Sequence, residues 1–118
     1  MRVIVAGATR WSDEKAIRRE LASLPSTTTV VYGDAPGADE IGGRIGRDLG
    51  LTTEAFVKNR DDYRRFGRGA WKGLNERMLE SGVDLVLAFH PEIDASRGTK
   101  HLAELARAAD VEVLIFTE

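Results

Sequence analysis

The sequence predicts an α/β fold, with an open, mostly parallel sheet of about five strands and helices on both faces. Two observations support this prediction. Short runs of apolar residues alternate along the chain with segments whose apolar residues recur at helical spacing. The apolar runs are nearly continuous, which is typical of parallel strands covered on both faces. Because the alternation extends over the whole chain and crossovers are right-handed, we expect one Rossmann-like domain, residues 1–118.

Five segments are rich in Val, Leu, Ile and Phe and have the length of strands: 3–7, 29–33, 54–57, 84–89 and 111–116. Four segments between them have helical periodicity: 13–24, 38–49, 66–81 and 98–109. Ser12 is the expected N-cap of the first helix, and Gly50 and Gly82 are expected to end the second and third helices.

The composition excludes several classes of function. The hydrophobic and charged fractions, 42% and 31%, are those of a globular protein, and the net charge of −2 provides no general attraction for nucleic acid or anionic membranes. Without cysteine there are no disulfides, thiolate metal sites or cysteine nucleophiles, and two histidines argue against a multi-histidine metal site. The first apolar run is too short for a signal peptide or a membrane span, so we expect a cytoplasmic protein without a membrane partner.

Ligands of such sheets bind beyond the carboxyl ends of the strands, which directs attention to the loops that follow them. The first loop begins with "GATR" (7–10), which is neither G-x-G-x-x-G nor a Walker A motif, so an ordinary NAD, FAD or P-loop site is not supported. Gly7 allows close backbone approach, Thr9 offers a hydroxyl and Arg10 can bind a phosphate with its guanidinium. A plain turn with a solvated Arg10 is the alternative.

The second loop, "GDAPGAD" (33–39), leads from a strand into a helix. Gly33 and Gly37 are expected to adopt positive φ and to expose backbone amides, and the helix N-terminus favours an anion. Asp39 can cap this helix or accept a hydrogen bond from a ribose hydroxyl, and both roles remain open.

Two further segments contribute to the prediction. "SRGT" (96–99) is a second glycine-containing helix start with hydroxyls and an arginine, so two phosphate cradles are predicted on one sheet edge. The glycines within the second helix, at 42, 43 and 46, are instead expected to let it lie close to the sheet.

The segment 58–77 holds seven Lys or Arg residues against three acids, interleaved with aromatic residues. This combination is found in single-strand nucleic-acid binding, but a solvated helix face is more common. The spacing of Trp71, Leu74 and Met78 favours the core or a dimer interface over base stacking, and we expect a homodimer or higher homo-oligomer. His101 is expected at the solvated surface.

Four stretches together resemble the YspA/cpYpsA-related branch of the SLOG superfamily, which also includes DprA-like proteins and LOG phosphoribohydrolases: "VIVAGATRWSD" (3–13), "VVYGDAPGADEI" (30–41), "NERML" (75–79) and "SRGT" (96–99). The resemblance implies a modified Rossmann fold that binds nucleotides or their derivatives. The loops and the resemblance together give these predicted ligand-binding residues: Gly7, Ala8, Thr9, Arg10, Gly33, Asp34, Gly37, Ala38, Asp39, Tyr63, Asn75, Met78, Ser96, Arg97, Gly98 and Thr99.

The resemblance also bears on catalysis. LOG enzymes cleave the bond between ribose and base with an arginine and a glutamate, whose positions are Leu74 and Leu102 here. The hypothesis is therefore nucleotide binding without evident catalysis and without a cofactor. One alternative is a phosphoribohydrolase in which Arg77 or Glu104 substitutes, and a weaker one is DprA-like binding of single-stranded DNA through residues 58–77.

Overall fold

The computed structural model describes residues 1–118 and contains one five-stranded sheet in which all neighbouring strands are parallel. The strands are β1 (Arg2–Gly7), β2 (Thr29–Tyr32), β3 (Thr52–Ala55), β4 (Leu85–Phe89) and β5 (Glu112–Phe116), in the order β3-β2-β1-β4-β5. The predicted parallel α/β sheet is confirmed. The order reverses beside β1, so the carboxyl ends of β1 and β4 border the crevice in which such sheets bind ligands.

Five helices connect the strands: α1 (Glu14–Ala22), α2 (Ala38–Asp48), α3 (Arg60–Phe66), α4 (Trp71–Glu80) and α5 (Gly98–Ala108). Short 3₁₀ turns lie at Gly67–Gly69 and Ile93–Ala95. α1 and α2 pack on one face of the sheet, and α4 and α5 pack on the other. No helix combines the length and the apolar character needed to cross a membrane.

The side chains of β1 alternate between two separate apolar clusters. Val3 and Val5 pack beneath α1 and α2, whereas Ile4 and Ala6 pack beneath α4 and α5. β1, the core of β2 and all of β4 are buried as predicted. The prediction of two covered faces is wrong for β3 and β5, because both are edge strands, and in β5 the side chain of Leu114 is 40% exposed.

Helix α3 is absent from the predicted elements, and the helix predicted at 66–81 begins only at Trp71. α3 buries a single residue, Asp62, so it has no apolar stripe to detect. A capping box stabilises it instead: Asn59 Oδ1 accepts from the Asp62 N–H at 2.8 Å, and Asp62 Oδ2 accepts from the Asn59 N–H at 3.0 Å. Gly67, with φ 56°, ends this helix.

The first helix is capped by Asp13 and not by the predicted Ser12. Asp13 Oδ1 accepts a hydrogen bond from the Ala16 N–H at 3.2 Å, the geometry of an N-cap. The predicted helix ends at Gly50 and Gly82 are confirmed, since both residues follow a helix with positive φ.

The glycines of α2 allow the close packing that the sequence predicts. A Cβ on Gly42 would lie 2.5 Å from Val5 Cγ1, and one on Gly43 would lie 2.4 Å from the ring of Tyr32. Gly46 is less crowded, since a Cβ there would lie 3.1 Å from Val30 and Thr53. α2 therefore lies directly on β1 and β2, and its N-terminus is held at the carboxyl edge of the sheet.

Candidate ligand-binding cavity

A cavity of about 340 Å³, open to solvent, lies at the carboxyl edge of the sheet. It is lined by Ala6, Gly7, Ala8, Thr9, Asp34, Ala35, Asp39, Lys58, Trp71, Leu74, Asn75, Met78, His90, Ser96, Gly98, Thr99 and Leu102. These residues come from the ends of β1 and β4, from the loops after the first four strands, and from α2, α4 and α5. No group of three His, Asp or Glu side chains lies close enough together to hold a metal ion.

The loops after β1 and β2 are packed tightly against each other. The Ala38 N–H donates to Ala8 O at 3.2 Å, and the Ala8 N–H donates to Phe89 O at 2.9 Å. Gly37 has φ 78°, and a Cβ there would lie 2.3 Å from Ala8 O. Gly37 and Ala38 therefore support the cavity wall from behind and do not line it.

Gly33 does not have the positive φ that the sequence suggested. Its constraint is space, because a Cβ would lie 2.9 Å from Asp39 Oδ2 and 3.3 Å from Leu74 Cδ2. A glycine here leaves room for the Asp39 carboxylate between β2 and α4.

Asp39 is a buried carboxyl group on the wall of the cavity, with 9% of the residue exposed. Burial raises the pKa of Asp39 from 3.8 to about 7, and the nearby Asp34 carboxylate adds to the rise, while the backbone N–H groups of Ala35 and Gly7 oppose it. The N-cap of α2 is Gly37, so Asp39 does not take the capping role. The cavity thus contains a carboxyl group whose pKa is raised towards neutral pH.

Asp34 and Lys58 form an ion pair on the cavity wall. Lys58 Nζ lies 2.6 Å from Asp34 Oδ1, and the Lys58 backbone N–H donates to Asp34 Oδ2 at 2.9 Å. Partial burial acts to raise the pKa of Asp34, but the hydrogen bonds from Lys58 outweigh it and the pKa is lowered. Asp34 is therefore a charged, already paired group, in contrast to Asp39.

The wall built by α4 and α5 is held together by polar contacts. Asn75 Nδ2 donates to Gly98 O at 3.2 Å and lies 3.1 Å from His101 Nδ1. The rings of Trp71 and His101 meet edge to face with their centroids 5.3 Å apart. The expectation of a solvated His101 is wrong, because this ring is half-buried against α4, and burial lowers its pKa.

The N-terminus of α5 opens into the same cavity. Ser96 Oγ accepts a hydrogen bond from the Thr99 N–H at 3.1 Å, which orients the start of the helix. Gly98 has only one neighbour near the place of a side chain, since a Cβ there would lie 4.0 Å from Trp71 Cε3. The space above Gly98 therefore belongs to the cavity.

Leu74 and Leu102 form part of the apolar wall, with 4% and 1% of each residue exposed. Neither side chain can move a proton or stabilise charge. The two residues considered as substitutes lie elsewhere: Arg77 is ion-paired with the buried Asp62, and Glu104 is exposed on α5.

Ten of the sixteen predicted ligand-binding residues line the cavity: Gly7, Ala8, Thr9, Asp34, Asp39, Asn75, Met78, Ser96, Gly98 and Thr99. Gly33, Gly37 and Ala38 lie outside the lining. Arg10 lines a different cavity beside Trp11. Tyr63 is 56% exposed on α3, and Arg97 is exposed where α5 begins.

The sequence reasoning missed these lining residues: Ala6, Ala35, Lys58, Trp71, Leu74, His90 and Leu102. The position of two of them in the sequence could have identified them. His90 directly follows β4, and Lys58 lies in the loop after β3, and residues that follow parallel strands are the ones expected at the ligand-binding edge. Trp71 gave no such signal, because its direction depends on how α4 packs against α5.

The similarity of this protein to known proteins extends over nearly the whole chain. No model of a known protein family matches it. The Gene 61 protein of Mycobacterium phage D29 is 32% identical over 123 residues, which covers 98% of this chain and 95% of that protein. The chain belongs to the family of the Gene 61 protein.

A solved structure shares the fold of this Gene 61 family member. The structure of DNA processing protein A (DprA) from Streptococcus pneumoniae superposes with a TM-score of 0.73 at 14% identity, covering 97% of this chain. The chain spans about half of DprA, 49% of its length. The fold implied by the resemblance to the SLOG superfamily is thus confirmed, whereas the YspA-related branch remains a prediction.

Proposed function

We propose that this protein binds a nucleotide or a nucleotide-derived ligand in the cavity, without a reaction of its own. The observation that carries the proposal is the composition of the cavity at the point where the strand order reverses. An open helix N-terminus, an apolar wall and two hydrogen-bonding side chains, Asp39 and Asn75, meet there. We also propose, from the sequence motifs "GDAPGAD" (33–39) and "SRGT" (96–99), that the chain belongs to the YspA-related branch.

The phosphate is assigned to the N-terminus of α5. Gly98 supplies a backbone N–H group at the positive end of the helix, and Ser96, whose Oγ already accepts the Thr99 N–H, adds a hydroxyl proton. The N-terminus of α2 is less suitable, because Ala8 O already accepts the Ala38 N–H at 3.2 Å. The two cradles expected from the sequence therefore reduce to one.

The base and the sugar are assigned to the remainder of the cavity. Trp71, Leu74 and Leu102 provide apolar surface for a base. Asp39 and Asn75 provide polar atoms for hydroxyl or amino groups. The absence of a carboxylate at Leu102 and of a guanidinium at Leu74 disfavours phosphoribohydrolase activity.

The test is a thermal-shift screen with AMP, GMP, CMP, UMP, ADP-ribose, cyclic AMP and inorganic phosphate. At least one nucleotide should raise the Tm, because a ligand that binds only the folded state stabilises it. Gly98→Ala places a methyl group in the cavity and should weaken binding about tenfold or more. Gly69→Ala is the matched control, since it lies outside the cavity with no atom nearer than 3.7 Å to the new methyl.

Two results would count against the proposal. One is the lack of any shift at millimolar nucleotide. The other is an equal loss of binding in Gly98→Ala and Gly69→Ala, which would show that the ligand does not occupy the space next to Gly98.

A second candidate function is binding of single-stranded DNA by the surface of α3 and the start of α4. Arg60, Arg68 and Lys72 are exposed there beside Tyr63, which is 56% exposed, and the fold is shared with a DNA processing protein. The overall negative charge makes this the weaker candidate. Its test is the salt dependence of oligonucleotide binding, which Arg68→Glu should reduce, and an absence of binding at low salt dismisses it.

A further inference from the structure

We propose that His101 is a positioning residue: it fixes the side-chain amide of Asn75 so that Asn75 Oδ1 accepts a hydrogen bond from a donor group of the ligand. The ligand part of this inference rests on the proposed function. The part that concerns the amide rests on contacts between α4 and α5 and can be tested in the free protein.

The contacts of Asn75 determine which way its amide points. Gly98 O is only an acceptor, so the group 3.2 Å from it must be the NH₂ of Asn75. The same NH₂ lies 3.1 Å from His101 Nδ1. Its two hydrogens are therefore shared between Gly98 O and His101 Nδ1. Since Nδ1 must accept, the imidazole is neutral and carries its proton on Nε2.

The consequence concerns the other end of the amide. Asn75 lines the cavity and is 7% exposed. Asn75 Oδ1 receives no hydrogen bond within the protein, and it is not fully buried, since Thr28 Oγ1 is the one fully buried side-chain polar atom without a partner. Because Asn75 lines the cavity, we infer that Oδ1 faces it. A fixed acceptor there favours a hydroxyl or an amino group of the ligand and disfavours a phosphate oxygen.

Protonation of His101 removes this arrangement. An imidazolium would direct a second N–H at the Asn75 NH₂, and one of the two groups would have to move. Burial lowers the pKa of His101, and Lys72 on α4 lowers it further, whereas Glu76 on α4 and Glu104 on α5 raise it. The neutral form therefore prevails at neutral pH, and acidification is expected to release the amide.

The first experiment uses the ligand-free protein and ¹⁵N NMR. We expect the Nε2–H tautomer for His101 and two hydrogen-bonded Asn75 Nδ2 protons, whose signals shift as His101 is protonated. In His101→Asn, the new Oδ1 takes the place of Nδ1 as an acceptor but does not titrate, so the Asn75 signals should no longer depend on pH in this range. A proton on Nδ1 of the neutral ring, or Asn75 signals indifferent to the protonation of His101, would overturn the proposal.

The second experiment measures AMP affinity from about pH 8 to about pH 5 in both forms of the protein. The AMP phosphate and Asp39 titrate in both, so the difference between the two curves belongs to His101. Wild-type affinity should fall about fivefold more than that of His101→Asn. Parallel curves would overturn the role of His101 in binding.

Analogues of AMP then identify the donor. IMP lacks the amino group, whereas 2′-deoxy-AMP and 3′-deoxy-AMP each lack one hydroxyl. One of the three should bind about tenfold more weakly than AMP, and that loss should disappear in Asn75→Leu. Equal binding of all four contradicts the donor assignment. Failure of every nucleotide to bind would contradict the proposed function, while the spectra of the free protein still decide the contact between His101 and Asn75.

Discussion

Lys58 and Asp34 are joined twice, by an ion pair of 2.6 Å and by a backbone hydrogen bond of 2.9 Å, so the loops after β2 and β3 are tied together at the cavity. Lys58→Met leaves the Asp34 carboxylate without its charged partner. We expect a loss of about 1 to 2 kcal/mol in the free energy of unfolding, measured with urea. The control is Arg18→Met, which removes a 3.4 Å pair with Asp48 on the exposed surface and should cost less than about 0.5 kcal/mol. Equal losses in the two variants would contradict a special role for the pair at the cavity.

Asp39 makes the stability of the protein depend on pH. Because burial raises the pKa of Asp39 from 3.8 to about 7, the folded state keeps a proton that the unfolded state has lost. Its contribution to stability is full below about pH 4 and is lost as the pH rises towards 7. Asp39→Asn should remove this slope and stabilise the protein by up to about 4 kcal/mol at pH 8. Urea unfolding between pH 4 and 8 tests this, and an unchanged slope would show that Asp39 is not the titrating group.

Gly37 and Gly50 share a positive φ, 78° and 77°, but they have different surroundings. Gly37→Ala brings a methyl group to 2.3 Å from Ala8 O, whereas nothing lies within 4 Å of the new methyl in Gly50→Ala. We expect Gly50→Ala to cost about 1 kcal/mol for the strained φ alone. Gly37→Ala should cost about 3 kcal/mol or more, because the loop after β1 must also move. Chemical unfolding of the pair tests this, and similar costs would refute the steric argument.

Because Leu74 and Leu102 stand where a phosphoribohydrolase would have its catalytic arginine and glutamate, we expect the protein not to release bases from nucleotides. The wall that carries them has neither a carboxylate nor a guanidinium for cleavage of a bond between ribose and base. We expect no release of free base from AMP, CMP or GMP above the level of a buffer control. Release that disappears in Glu104→Gln, with folding intact, would instead support the phosphoribohydrolase alternative.

The strands and helices that bury apolar residues could be predicted from the sequence, because burial requires a recognisable apolar pattern. β1 and β4 are continuous apolar runs, and both lie within one residue of the predicted bounds. β3 was predicted two residues too late, because an edge strand does not need apolar residues, and its four are Thr, Thr, Glu and Ala. α3 escaped detection because it is held by a capping box and not by an apolar face.

The site was predictable where backbone position alone decides the result. Gly7 ends β1, Asp39 lies in the first turn of α2 and Gly98 begins α5, and parallel strands bring such positions to one edge. Arg10 and Arg97 lie outside the cavity lining, because a long side chain can point in several directions from the same backbone. The half-buried state of His101 depends on the packing of α4 against α5, which no local pattern contains.

The strand order also has a consequence for the lifetime of the protein. β1 pairs with β4 across a long stretch of chain, Val3 opposite Leu85, and the cavity wall runs from Ala6 to Leu102. A ligand held in the cavity would need residues from both ends of this stretch at the same time, so it would recognise the finished fold and not partly folded chains. It would slow unfolding and leave the folding rate unchanged. If the proposed ligand binds, proteases that cut the unfolded chain would degrade the protein more slowly while that ligand is supplied.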